Sequence, residues 1–277
     1  MKIAFCFLIY DIINHENLWY NFFKGVDKNK YSIHIHYKKQ KKLKHFENKK
    51  LGKTVKTDWC DISLVEAQNL LLQRALQDKK NKHFIFVSNS CIPVKSFKHI
   101  YDYLTLSKSY FNMSVGGIKG ETIDSIKFHK ASQWCILNRK HATIVANTDL
   151  SDFKRIFEEY YQECADEYIY PTILMNKGLG KELIKTRNKA LGATTFVVFG
   201  DTNYKFHPKS VVQQKVWDGP YMYKNIHKTE LNKLIKSKSL FARKFDTGCE
   251  STDYSLGSAV LEGISQVKRT RKTTKKN

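Results

Sequence analysis

The 277-residue chain has no run near the roughly 20 apolar residues that a membrane-spanning helix needs. Its opening apolar run, Ile3 to Tyr10, stops at Asp11 and carries no small-residue cleavage site. The sequence therefore predicts a soluble chain, cytoplasmic on these grounds. The six cysteines (6, 60, 91, 135, 164 and 249) form no CxxC pair and no Cys/His cluster at zinc-ligand spacing, so reduced thiols are expected. There is no DxD motif and no second acidic cluster, which disfavours an oxygen-rich metal site. No internal repeat and no Pro/Gly-rich linker divides the chain, and one compact domain follows.

Acidic residues are also scarce: 26 against 48 lysines and arginines, a formal charge of +22. Such a charge points toward a polyanionic partner or an anionic surface. It is concentrated between Tyr37 and Lys56, with nine lysines, and in the stretch 265–277, read as a basic disordered tail. A solvated loop and a frayed end explain these lysines as well as nucleic-acid binding does, because few aromatics are interleaved with them.

What is present reads as α/β. Ile3 to Tyr10 is nearly all apolar, the pattern of a strand buried on both faces, and Tyr31 to Tyr37 alternates as a second strand. HENLWYNFFKG has helical character and should stop at Gly25. Ser63 with Glu66 predicts a capping box for a helix through Leu76, and HFIFVS a third strand. QWCIL and TFVVF (to Phe199) read as strands, and 152–161 and Lys228 to Lys236 as helices. In such domains ligands bind beyond the carboxyl ends of the strands.

Several strings could carry chemistry. SNSCIPV (Ser88 to Val94) follows the third strand, where a ligand-contacting loop or a plain polar turn would both fit. His34 and His36 sit on an alternating strand as packed residues or as ligands. Trp134 is a core tryptophan or a sugar-stacking face. LFARKFD sets Arg243 and Lys244 between two phenylalanines, an amphipathic edge or a fixed phosphate contact. In ECADEYIYPT, Pro171 suits the first turn of a helix, which puts Asp166 and Glu167 at its positive end. Asp166 is the natural cap; helix cap, metal ligand and catalytic base remain the three readings of the pair.

Taken in order, KIAFCFL, W…SLVEAQNLLLQRAL, SNSCIPV, SQWCILNR, ADEYIYPT and LFARKF resemble the core-2/I-branching β-1,6-N-acetylglucosaminyltransferase family (glycosyltransferase family 14), in particular its plant and microbial branch. The matching strings run from Met1 to about Asp246. The resemblance implies a glycosyltransferase A type fold, a Rossmann-like mixed sheet flanked by helices within residues 1–264, its nucleotide-binding half ending near 95 and its acceptor half following. It implies an inverting enzyme that moves a sugar, N-acetylglucosamine foremost, from a UDP donor to a carbohydrate or glycoprotein acceptor, with no cofactor and no divalent metal. It assigns Glu167 as the catalytic base and Lys244 as a contact to the donor diphosphate. Arg243, Lys224, Asn89 and His36 are the further candidates for the nucleotide sugar, and Trp134 and Tyr168 for the acceptor. Where animal members carry a second diphosphate-binding arginine, this chain has Tyr221 and Lys224, and Asn89 replaces a glutamate of the plant-type string. A Golgi or secretory location follows only by analogy. The competing function is a basic protein that binds nucleic acid or an anionic surface on a degenerate transferase fold.

Overall fold

The computed structural model describes residues 1–113, 121–160, 163–187, 194–198, 211–212, 220–251 and 255–273. They divide into two compact units, one built from Met1–Ile12, Asp27–Ser88 and Leu104–Asn188, the other from Ile13–Val26, Asn89–Tyr103 and Lys189–Asn277. The units interleave along the chain, where the sequence had suggested one domain with halves meeting near residue 95.

The first unit is a mixed α/β layer. Strands β1 (Lys2–Ile9), β2 (Tyr31–Tyr37), β3 (Asn81–Ser88), β4 (Ser109–Met113), β5 (Ile136–Asn138) and β6 (Leu183–Arg187) form one sheet in the order β2-β1-β3-β5-β4-β6. β5 is antiparallel to both neighbours and the other pairings are parallel. Central β1 buries Ile3, Phe5 and Phe7 on one face and Ala4, Cys6 and Leu8 on the other, as its unbroken apolar run predicts. On the second face, helix α1 (Ser63–Leu76) adds Val65, Leu71 and Leu72 against Phe84 and Phe86, and helix α2 (Arg139–Ala146) adds Ala142 and Val145. Each such side chain removed from water is worth roughly 1.5–3 kcal/mol.

The predicted capping box is not formed. Asp61 Oδ1 accepts the Ser63 N–H at 2.8 Å, the Ser63 hydroxyl accepts the Asp58 N–H at 3.1 Å, and Glu66 turns outward to Lys154 at 2.5 Å. Ser63 is thus the first helical residue and not the cap; Ile62 stands at the N-cap with no side-chain cap, and Asp61 closes the turn ahead of it. The lysine-rich segment is also not a free loop. Leu43, Phe46 and Leu51 are buried, and the Leu51 N–H donates to Ile35 O at 2.8 Å.

The second unit holds two three-stranded sheets, one of Thr195–Val197, Phe241–Arg243 and Ile92–Pro93, the other of Val211–Val212, Met222–Ile226 and Phe245–Ser251. The helix Glu16–Phe23 ends just before Gly25, whose φ of 74° is the left-handed conformation that glycine adopts without strain. The helix Lys228–Lys236 has its expected bounds and buries Leu231, Leu234 and Ile235. The last helix is Leu256–Thr273, so the stretch expected to be a disordered tail from residue 265 is helical as far as Thr273. Residues 274–277, Phe199 and Tyr161 lie outside the described residues. Among the described residues no helix is long and apolar enough to cross a membrane.

Candidate active site

In the first unit, Ala165–Glu167 forms a single 3-10 turn that leads into helix α3 (Ile169–Asn176). Pro171 falls in the first turn of α3, where its missing N–H leaves nothing unsatisfied. The turn inserted ahead of α3 changes the part expected of Asp166. Tyr168 occupies the N-cap position, no side chain caps the helix, and Asp166 lies two residues earlier inside the turn.

The backbone of this turn is held on three sides. The Ala165 N–H donates to Cys60 O at 3.1 Å, the Glu167 N–H to Cys164 O at 2.9 Å, and the Ala131 N–H to Glu167 O at 2.8 Å. The next residue of that flanking segment, Ser132, donates its N–H to Asn112 O at 2.8 Å, near the carboxyl end of β4. The base candidate therefore lies near a strand end, where α/β domains place ligands. Cys60 and Cys164 are joined by a disulfide, which corrects the expectation of reduced thiols for this pair. Their separation of 104 residues hid the pairing from any local motif. Cys6, Cys91, Cys135 and Cys249 are buried and form no disulfide.

The Glu167 side chain keeps 32% of its exposure. The Lys130 ammonium lies 3.6 Å from it, 2.5 Å from Glu163 and 5.1 Å above the ring of Tyr168. Burial pulls the Lys130 pKa down, but the hydrogen bond to Glu163 and the charge of Glu167 outweigh it and leave it above the ordinary lysine value. Lys130 is thus a positive charge held beside the Glu167 carboxylate. Sequence reasoning missed Lys130 and Glu163; the lysine in HKASQW is one of many in this chain.

The other candidates of this unit are placed differently from expectation. His36 is fully buried, and its Nε2 accepts the Val55 N–H at 3.1 Å, so it pins the lysine-rich segment and presents nothing to a nucleotide. His34 is half-buried and bonds Ser32 at 3.1 Å. Trp134, 6% exposed, belongs to the core, so its ring offers no open face for a sugar. Tyr168 is buried too, its ring packed edge-on to Phe128 under the Lys130 ammonium. A Ser-His-Glu chain also occurs here: the Ser109 hydroxyl bonds His141 Nδ1 at 2.7 Å, and His141 Nε2 bonds Glu182 at 3.1 Å. Ser109 and His141 are fully buried, so the chain ties β4 to α2 and gives no accessible nucleophile.

In the second unit, Phe241 and Phe245 are buried on either side of Arg243 and Lys244, so the two cations are held by anchored neighbours. Lys244 O accepts the Tyr223 N–H at 2.7 Å, and the Phe245 N–H donates to Ser90 O at 2.9 Å. Asn14 donates to Phe245 O at 2.8 Å and accepts from Asn89 Nδ2 at 3.1 Å, while His15 Nε2 donates to Asp246 O at 2.8 Å. The SNSCIPV loop and the FARKF strand are therefore laced together, with Asn89 acting on the backbone around Lys244 through Asn14. Asn14 and His15 carried no motif that could have announced them. Lys224 is exposed on Met222–Ile226, the strand paired with Phe245–Ser251. Burial, with the Arg243 charge adding to it, lowers the Lys244 pKa to about 8. A cation pressed toward neutrality by burial and a second cation gains most from an incoming anion such as a phosphate.

Among the described residues no group of three or more His, Cys, Asp or Glu could hold a metal ion. Residues 3–123 match the family model described as Core-2/I-Branching enzyme. Among curated proteins, Glycosyltransferase BC10 of Oryza sativa subsp. japonica is 29% identical over 221 residues, which are 66% of this chain and 55% of the rice protein. The chain thus spans about half the length of that relative. Two solved structures align at low identity. A glycosyltransferase involved in the glycosylation of the major capsid of PBCV-1 is 9% identical with a TM-score of 0.41, covering 97% of this chain and all of that one. The WbbM bifunctional glycosyltransferase in its apo form is 11% identical with a TM-score of 0.43, covering 95% of this chain and 50% of that one.

Opening the Cys60–Cys164 disulfide releases a loop of about a hundred residues, for which chain entropy gives roughly 4 to 5 kcal/mol. Urea unfolding of Cys60→Ser should show a loss of about 2–5 kcal/mol. An unchanged midpoint and slope would mean that the tie does not constrain the unfolded chain.

Proposed function

We propose that the protein is an inverting glycosyltransferase of the glycosyltransferase A type that moves a sugar from a UDP donor to a carbohydrate hydroxyl without a divalent metal. N-acetylglucosamine is the first candidate sugar, with xylose and glucuronic acid as alternatives. The observation that carries the reading is the Glu167 carboxylate: partly exposed, pinned through its backbone and beside a permanent cation, in a chain whose residues 3–123 match a glycosyltransferase family.

A sugar hydroxyl is a weak nucleophile at neutral pH, so a positioned base must remove its proton as the hydroxyl oxygen bonds to the anomeric carbon. Glu167 is suited to that step because an ionised carboxylate with an accessible oxygen can accept a proton. The bond from the anomeric carbon to the UDP oxygen breaks in the same displacement, so an α-linked donor yields a β-linked product. UDP departs with growing negative charge, which a fixed cation stabilises. Lys244, with Arg243 as its neighbour and Lys224 on the adjoining strand, is assigned to that charge. The absence of a DxD motif from the sequence supports a lysine in the place a metal ion takes in other enzymes of this type.

Turnover of a panel of UDP-sugars should persist in EDTA; activity that appears only with added manganese would overturn the metal-independent reading. Glu167→Gln should lower kcat by about 10²- to 10⁴-fold while UDP still binds. A rate within twofold of wild type would remove Glu167 from the base role.

Lys244 gives a pH dependence with a definite sign. Its ammonium is present below about pH 8 and lost above it, so UDP affinity should fall as pH rises through about 8, tending to tenfold per unit. Lys244→Met should bind UDP more weakly and show no such step in calorimetric titrations between pH 7 and 9.5; a retained step would assign it to another group.

A further inference from the structure

We propose that Trp59 is an acceptor-binding residue, an indole platform on which a neutral pyranose ring of the acceptor stacks close to Glu167. The inference deepens the glycosyltransferase reading and rests on it.

Three observations carry it. The first is exposure: Trp59 is 84% exposed, more than any other large hydrophobic residue among those described, and Tyr160 at 63% is next. Trp19 and Trp134 are buried, as indoles usually are, so one left in water is open to a ligand. The second is position. One residue after Trp59, the Cys60 carbonyl accepts the Ala165 N–H at 3.1 Å, and the Cys60–Cys164 disulfide fastens the same two segments. Ala165 opens the 3-10 turn that Glu167 closes. With a rise of about 2 Å per residue in that turn, the backbones of Trp59 and Glu167 lie within roughly 10 Å of each other. Tyr160 follows the helix Ser151–Glu159, four residues before Cys164, so both of these exposed aromatics stand on segments that the disulfide joins.

The third is charge. In a chain with 48 basic residues against 26 acidic ones, Trp59 stands in the string DWCD, between the exposed Asp58 and Asp61. Asp58 Oδ1 accepts from Lys38 at 2.8 Å, and Asp61 Oδ1 accepts the Ser63 N–H at 2.8 Å. An ionised carboxylate accepts hydrogen bonds at about four sites, so both can also take sugar hydroxyls. The same carboxylates repel phosphate, which suits the ring to a neutral sugar and not to a nucleic-acid base.

The turn that presents the indole is fixed. The Asp58 N–H donates to Ser63 Oγ at 3.1 Å, the Asp61 N–H to Asp58 O at 3.4 Å, and Cys60 holds a left-handed φ of 61°. A platform held in this way gives up little freedom on binding, and stacking on it sets the plane in which an acceptor approaches the base. Trp134 was the expected sugar-stacking face and lies in the core; Trp59 is the tryptophan of the same unit that meets solvent.

The test uses the whole chain and three neutral β-linked disaccharides, lactose, cellobiose and xylobiose, as probes. Tryptophan emission should change saturably with at least one of them, with UDP present as well as absent, and Trp59→Phe should lack the change. By calorimetry Trp59→Ala should bind that disaccharide about tenfold more weakly, the scale of one aromatic stack, and Trp59→Tyr should recover most of the loss. No saturable response to any of the three probes would overturn the proposal, as would a response retained in Trp59→Phe. Undiminished binding by Trp59→Ala, or competition by UDP that places the disaccharide in the donor site, would overturn it too. A change of oligomeric state in Trp59→Ala with sugar binding intact would assign the ring to a protein contact instead. If the wild-type chain turns over no UDP-sugar, the glycosyltransferase reading fails by that assay, whereas stacking on Trp59 is decided by emission and calorimetry alone.

Discussion

A cation held in a place that is only partly wet needs carboxylates beside it, and here one lysine is shared between two acids. Lys130 lies between Glu163 and Glu167 and over Tyr168. Most exposed ion pairs of this chain, such as Lys98 with Asp102, contribute about 0–1 kcal/mol and could be lost without consequence. The Lys130 contacts differ because burial weakens solvent screening and because the backbone on both sides of the lysine is bonded to the segment that bears the acids.

Much of the first unit's architecture serves that geometry. β4 ends where Asn112 O takes the Ser132 N–H, and the following bond, Ala131 to Glu167, hands the fixed position of the strand to the 3-10 turn. On the far side, the Cys60–Cys164 disulfide and the Ala165-to-Cys60 hydrogen bond tie the turn to the residues just ahead of α1. α1 is itself buried against β3 through Leu71, Leu72, Phe84 and Phe86. Core packing, a covalent tie and main-chain hydrogen bonds thus converge on residues 164–167, and a short turn that would fray alone is held in one conformation.

What could be read from sequence was what repeats locally. The apolar run of β1, the alternation of β2 and the helix Lys228–Lys236 follow from period alone and were legible. The cap roles of Ser63 and Asp166 were misplaced because a cap depends on where the preceding turn delivers the chain, and each turn shifted the helix start by residues that carry no periodicity. His36 was taken for a ligand because the strand pattern cannot say which face a neighbouring segment covers; the lysine-rich segment covers this one and gives the ring its partner, Val55. Glu167 and Lys244 were legible only through ordered motifs, and Lys130, Glu163 and the Cys60–Cys164 tie not at all, since each joins positions far apart in the chain.

The two half-buried lysines show how the same residue type is put to opposite uses. Burial alone would push both toward neutrality. For Lys130 the acids Glu163 and Glu167 reverse the direction, so its charge is satisfied from within and it acts as a resident counter-ion. For Lys244 the neighbouring charge is Arg243, which adds to burial and brings the ammonium to about 8, near the edge of ionisation. The backbone next to it is held by the hydrogen bonds of Asn14, Asn89, Ser90 and Phe245. The sign of the pKa shift thus separates two half-buried lysines whose neighbours differ in charge, a distinction that composition alone could not draw among 48 lysines and arginines.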